Sequence, residues 1–77
     1  MKIKNLNLSR IRELREERGL TQQEVAEELG ITQQVYSNYE RGARMIPVLH
    51  FVALCQFYNV TCDYMLHLSD IPMPEKH

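Results

Sequence analysis

Five polar side chains recur at helical spacing in the middle of the chain. At about 100° per residue they fall within one sector of a helix, and Tyr36 and Tyr39 point away from that sector. Uncharged amides dominate it, where a solvated face usually carries Glu and Lys. Gln and Asn amides can pair with N6 and N7 of adenine in the major groove, so the pattern is compatible with hydrogen bonding to base edges as well as with an ordinary polar helix face. The five residues are Gln33, Gln34, Ser37, Asn38 and Arg41.

Two short helices joined at a glycine must position this sector. Thr21 and Glu24 have the spacing of a capping box, which predicts the start of the first of these helices. Gly30 tolerates the left-handed backbone just past a helix end, so it is the expected stop. Thr32 can accept a backbone N–H at the start of the second helix, which carries the polar sector.

Three further helices are expected around this pair. The first ends near Arg18 and has Asn7 or Ser9 as its cap. The fourth covers residues 47–58, and the fifth covers residues 62–67. The sequence therefore predicts five helices.

The sequence resembles one family closely over two stretches. LREERGLTQQEVAEELGITQQVYSNYERG (residues 14–42) and NVTCDYML (residues 59–66) resemble the helix-turn-helix and the closing helix of the lambda-repressor-like family. The resemblance implies an all-α, compact five-helix DNA-binding domain, with the helix-turn-helix at helices two and three. We expect this domain to cover residues 1–68, with a loose arm at 1–6 and an irregular tail at 69–77.

The resemblance also implies how the polar sector would meet double-stranded DNA. Gln33 and Gln34 lie in the first turn of helix three, the end that enters the groove, and Asn38 lies one turn further along. These three are the expected base readers. The hydroxyls of Ser37 and Thr32 suit base edges or phosphates, and we assign Ser37 to bases and Thr32 to the backbone.

Contacts to the DNA backbone are expected from three further side chains. Gln22 is assigned to a phosphate by the resemblance, and Arg41 and Arg44 by their charge. In the family, an arginine at the place of Arg15 pairs with the glutamate that closes the recognition helix, here Glu40. We therefore expect an Arg15–Glu40 ion pair that ties helix one to helix three.

Two positions depart from the family pattern. Tyr36 stands where Ile or Val is common, so its hydroxyl needs a partner or an exit to water, and it could reach the DNA backbone. Pro47 lies one residue later than the usual proline, which is normally followed by a Ser or Thr cap. The entry to helix four is therefore expected to differ.

Length and composition exclude several classes of protein. The chain of 77 residues has room for one small domain, and it has neither a membrane-length apolar run nor the apolar core of a signal peptide. A cytoplasmic protein without a membrane partner is expected. Cys55 and Cys62 have no zinc-like spacing and are expected to be small packing residues. We expect no catalysis, no metal, no cofactor and no small-molecule ligand.

Charge is the main argument against a nucleic-acid partner, because the formal net charge is −1. The distribution of the charged residues along the chain weakens that argument. Between residues 30 and 46, Arg41 and Arg44 face a single acid, Glu40. If Glu40 is paired internally, this end of the domain is locally positive. We expect few phosphate contacts and an affinity that depends on dimerisation.

Helix four has little polar surface, which predicts a second buried side. Leu49 and Ala53 share a stripe with Gln56 where related sequences carry polar residues, and Met45 and Ile46 precede it. We expect a homodimer interface at Met45, Ile46, Leu49 and Ala53, although Met45 and Ile46 could instead fold back on their own domain. The expected inward face is Val48, Phe51, Val52, Cys55 and either Phe57 or Tyr58, with Leu54 alongside.

The expected function is sequence-specific regulation of transcription by a repressor that binds a palindromic operator as a dimer. The alternative is a protein-interaction module, antitoxin-like or scaffold, that uses the same fold. In that case the near-neutral surface with the apolar fourth helix would be the surface that binds the partner protein.

Overall fold

The computed structural model describes residues 8–73, and the predicted arm at residues 1–6 lies outside them. Within this range there are five helices and no strand, so the predicted all-α, five-helix class is confirmed. The helices are α1 (Ser9–Glu17), α2 (Gln22–Leu29), α3 (Gln33–Glu40), α4 (Val48–Tyr58) and α5 (Cys62–Met65).

The turn between α2 and α3 forms as the sequence predicts. The Thr21 hydroxyl accepts from the backbone of Glu24 while the Glu24 carboxylate accepts from the backbone of Thr21, so the capping box is complete. Gly30 ends α2 in the left-handed conformation, with φ of 70°. Thr32 then caps α3 by accepting from the N–H of Val35. Each such cap stabilises its helix by about 1 kcal/mol.

One core joins all five helices. Its largest fully buried side chains come from different helices, so no helix is stabilised by its own turns alone. Burying each large apolar side chain contributes about 1.5–3 kcal/mol. The core consists of Ile11, Leu14, Val25, Ala26, Tyr36, Tyr39, Ile46, Leu54, Cys55, Tyr58 and Met65.

The ends of α1 and α5 differ from the prediction. Ser9 is the first helical residue and not the cap, because Leu8 occupies the cap position without a side-chain hydrogen bond. The other expected cap, Asn7, lies outside the described residues. Thr61 caps α5 as expected, but the helix ends at Met65, two residues early. His67 adopts a left-handed conformation, with φ of 63°, which is incompatible with a continuing helix.

Two apolar residues near the start of α4 differ from the prediction in their burial. Val48 was expected to face inward but is 78% exposed, whereas Ile46, expected at a dimer interface, is 8% exposed. The inward face of α4 is formed one turn further along, where Leu54, Cys55 and Tyr58 are buried. Val48 lies in the first turn, beyond that core. The connector before it folds back, so the intramolecular alternative holds for Ile46.

The segment after α5 is bound to α1 by Arg10. Its guanidinium donates to the carbonyls of Tyr64 (2.7 Å) and Ser69 (2.9 Å), lies 4.0 Å from the centre of the Tyr64 ring and contacts the Asp70 carboxylate at 3.4 Å. A backbone hydrogen bond from Thr61 to residue 72 adds a second attachment. Residues 69–72 are therefore irregular but attached to the domain.

In the part of the chain that the structure describes, no helix has the length and apolar character needed to cross a bilayer.

Candidate nucleic-acid interface

The outer face of α3 presents the predicted polar sector. Gln33, Gln34 and Arg41 are exposed, and Ser37 and Asn38 are half-buried along the same side. Tyr36 and Tyr39 are buried on the opposite side, as the helical spacing predicts. One helix therefore separates an outer face made of amides from a packing face made of aromatic rings.

Glu40 closes α3, and three elements donate hydrogen bonds to its carboxylate. Arg15 from α1 makes two contacts, Nε to Oε2 at 2.7 Å and Nη2 to Oε1 at 3.2 Å. Gln22 from the first turn of α2 donates to Oε1 at 3.1 Å. Tyr36, one turn earlier in α3, donates its hydroxyl to Oε2 at 2.5 Å. The carboxylate thus connects α1, α2 and α3 on the side of α3 opposite its outer face.

The electrostatics of this site keep Glu40 ionised. Burial alone would raise its pKa, but the hydrogen bonds from Arg15, Tyr36 and Gln22 outweigh that effect and hold the pKa below its usual value. Burial and the same carboxylate raise the pKa of Tyr36, so its hydroxyl remains a donor. The Arg15 and Glu40 side chains are only 13% and 4% exposed. Removing one partner would leave a buried charge with incomplete hydrogen bonding.

Two assignments change because of this carboxylate. Tyr36 was expected to need a partner or an exit, with the DNA backbone as one possibility, but its hydroxyl is buried against Glu40 and faces away from the outer surface. Gln22 was assigned to a phosphate, and the structure places one of its amide donors on Glu40. A phosphate contact by Gln22 would therefore use its remaining N–H.

The exposed charges between residues 30 and 46, the end of the domain that carries the outer face of α3, are all positive. The single acid, Glu40, is enclosed by its ion pair, whereas Arg41 and Arg44 are both exposed. The partner of Glu40, Arg15 of α1, faces inward. Thr32 is exposed, and its hydroxyl caps α3. The surface charge of this end is therefore positive although the chain carries a net charge of −1.

The predicted dimer residues are not all at the surface. Met45 and Leu49 are 72% and 77% exposed, Ala53 is half-buried and Ile46 belongs to the core. Exposed Val48 joins Met45 and Leu49, although its exposure was not predicted. The structure thus presents an apolar surface at the start of α4.

Besides the Gln22–Glu40 hydrogen bond, two connections to α3 were not identified from the sequence. One is the Tyr36–Glu40 hydrogen bond, for which the spacing of four residues on one helix was an available signal. The other joins α3 to α4, where the Tyr39 hydroxyl lies 3.3 Å from Nδ1 of His50. No periodicity could have indicated the second, because it depends on the path of the connector.

Within residues 8–73, no group of three or more His, Cys, Asp or Glu side chains is placed to hold an ion. The functional groups of the site are those that donate and accept hydrogen bonds.

A capped helix, a glycine turn and a second helix with an exposed amide face define a helix-turn-helix protein of the lambda-repressor-like fold. Comparison with known structures shows the same fold. The P22 c2 repressor, solved in complex with a synthetic operator, superimposes with a TM-score of 0.70 at 24% identity, over 80% of this chain and 94% of that chain.

Sequence comparison gives the family. A helix-turn-helix family profile matches residues 11–65. The uncharacterized regulator YobD of Bacillus subtilis is 38% identical over 66 residues, which is 86% of this chain and 59% of that protein. The CTXphi phage repressor RstR of Vibrio cholerae is 35% identical over 68 residues, which is 88% of this chain and 61% of that protein.

The chain belongs to the Cro/C1-type helix-turn-helix family. This family is a class of DNA-binding transcriptional regulators and not an enzyme class. The chain spans about three fifths of the length of the two relatives named above.

Coupling through Glu40 can be measured by a double-mutant cycle. Arg15→Ala and Glu40→Ala should each lower the free energy of unfolding by about 1.5–3 kcal/mol, because each leaves a buried group without its charged partner. The free energy of unfolding of the double variant should be no lower than that of the less stable single variant. Thermal unfolding followed by circular dichroism measures all three, and Arg12→Ala, which breaks the exposed Arg12–Glu16 pair, is the control. Additive losses would contradict the coupling.

Proposed function

We propose that this chain binds specific sequences in double-stranded DNA and represses transcription from them, acting in the cytoplasm. The observation that carries the proposal is the outer face of α3, an exposed row of amides on a helix fixed from behind by Glu40. The relative RstR is named a transcriptional repressor, and the structural neighbour is bound to an operator. Both agree with this function.

Base reading is proposed for four residues of α3. Gln33 and Gln34 lie in the first exposed turn, the end of a recognition helix that reaches base edges. Ser37 and Asn38 continue the same face toward the C-terminal end. Amides and a hydroxyl suit this role because base edges in the major groove present both donors and acceptors.

Positioning on the DNA backbone is proposed for a second group. Arg41 and Arg44 are exposed beside the reading face and would meet phosphates, as would the exposed Thr32. Gln22 would add a contact through the amide hydrogen that Glu40 does not take. With so few cations, one copy of the domain would gain little from phosphate neutralisation.

A second copy of this chain is the partner that the α4 surface fits. Exposed Met45 and Leu49 are its centre, and Ala53 lies on the same side of the helix. Residues 45–58 contain no Asp, Glu, Lys or Arg. At a two-fold axis a residue meets its own copy, so a charge there would repel itself, and this surface avoids that cost. The buried Ile46 is not part of the proposed interface.

A symmetric dimer implies a symmetric site. Two recognition helices would enter major-groove half-sites about one helical turn apart, so the operator would be palindromic. The alternative, a protein-interaction module, is favoured by the same exposed apolar surface. Absence of any enriched sequence after selection from random duplex DNA would favour that alternative.

Base reading is tested by truncating the first-turn amides. Gln33→Ala and Gln34→Ala should each weaken binding to a duplex enriched from random DNA by about 1–3 kcal/mol, with thermal stability unchanged. Fluorescence anisotropy measures the affinity. Gln23→Ala, which removes an exposed α2 amide bonded to Glu27, is the matched control and should bind like the wild type. Unchanged affinity in both α3 variants would refute the assignment.

Dimerisation is tested by placing a charge on α4. Leu49→Glu should convert the dimer to a monomer in sedimentation velocity, because two carboxylates would be buried near the two-fold axis. Leu68→Glu is the matched control, since Leu68 is 73% exposed but lies after α5. This control should remain dimeric. A wild-type protein that is already monomeric on its DNA site would rule out the proposed interface.

A further inference from the structure

Asn38 is not a free amide on the reading face. Its Oδ1 accepts a hydrogen bond from Nη2 of Arg41, the C-cap residue that follows Glu40. Oδ1 also lies 3.4 Å from Nε2 of Gln34, one turn earlier, at the long end of the hydrogen-bond range. Asn38 is thus connected to the residues on both sides of it along the outer face.

The contact with Arg41 fixes which end of the amide is used. A guanidinium carries five N–H donors and no acceptor, so the Asn38 atom that it touches must be the carbonyl oxygen. A carbonyl oxygen accepts about two hydrogen bonds, and Arg41 and Gln34 supply both. Outward from α3, Asn38 can therefore offer only the two donors of its Nδ2 amino group.

This restriction changes the base that suits Asn38. An unrestricted Asn pairs bidentately with adenine, since Oδ1 accepts from N6 while Nδ2 donates to N7. With Oδ1 occupied, the adenine amino group would face no acceptor. Guanine presents two acceptors, O6 and N7, in the same groove, and these match a pair of donors.

We infer that Asn38 selects guanine, and that Arg41 is the positioning residue that gives Asn38 this preference. The inference rests on the proposed base reading by α3 and specifies its base at one position. Arg41 keeps four N–H groups beyond the one on Asn38, so it can still meet a phosphate. A single arginine then both positions the domain and orients a reader.

The expected discrimination is about tenfold. A good pair of hydrogen bonds to a base edge distinguishes it from the wrong base by this order of magnitude. Arg41→Met should remove the restraint on Asn38. The ratio of guanine to adenine affinity should then fall toward one or invert, whereas loss of a phosphate contact would weaken both duplexes equally.

The experiment begins with selection of bound duplexes from random DNA by the wild type and by Asn38→Ala. The base pair whose preference relaxes in Asn38→Ala is the one that residue 38 reads. We expect a G·C pair there in the wild-type site. A duplex with inosine in place of that guanine keeps O6 and N7 and should bind equally well. A duplex with 7-deazaguanine lacks N7, and one with adenine has an amino donor in place of O6. Both of these duplexes should bind more weakly.

The ratio of affinities for the guanine and adenine duplexes is then measured for Arg41→Met, with Arg44→Met as control. Arg44 is also exposed after α3, and its backbone N–H donates to the carbonyl of Asn38, but among the described residues its side chain makes no hydrogen bond with the Asn38 side chain. A fall in the ratio for Arg41→Met alone supports the inference.

Three results would overturn the inference. They are an A·T pair at the position of residue 38, no position that relaxes in Asn38→Ala, or an unchanged ratio in Arg41→Met. If sequences are still enriched and depend on Gln33 and Gln34, the proposed function survives this failure. If the wild type enriches no sequence, the proposed function fails and the inference fails with it.

Discussion

The structure depends on one buried carboxylate. Glu40 is acceptor-only when ionised, and its two oxygens are filled by donors from three helices, so its desolvation is compensated only when α1, α2 and α3 are all in place. The same residue closes the recognition helix. The orientation of the outer face of α3 is therefore set by hydrogen bonds on its inner side, and the Tyr39–His50 contact extends that control to α4.

Enclosing Glu40 also shapes the outer surface. Six glutamates are exposed on α1 and α2, while Arg41 and Arg44 are the exposed charged side chains between residues 30 and 46. Under the proposed function, such a surface would attract a polyanion weakly, so specificity would come from well-oriented amides and affinity from a second copy. Residues 45–58, which contain no Asp, Glu, Lys or Arg, would offer that second copy an interface, which would connect the low charge of the domain to its apolar fourth helix.

Local signals in the sequence predicted the fold well, and long-range packing limited the rest. The capping box at Thr21, the glycine stop and the amphipathic spacing determine α2 and α3, because each acts within one or two turns. Arg15 and Glu40 are 25 residues apart, so their pairing followed from family resemblance and not from spacing. Ile46 was predicted at a dimer interface but is buried in the core, because the path of the connector before α4 depends on long-range packing against that core. The orientation of the Asn38 amide required the position of Arg41.

Glu40 holds the outer face of α3 in place through hydrogen bonds on the inner side of the helix. Native-state hydrogen exchange of the wild type and Glu40→Gln measures this most directly, because exchange reports local opening residue by residue. Relative to the wild type, the account predicts faster exchange of the α3 amides near Tyr36 and Glu40, with α4 less affected. Glu16→Gln, which disrupts only the exposed pair with Arg12, should exchange like the wild type. Unchanged protection of α3 in Glu40→Gln would contradict the account.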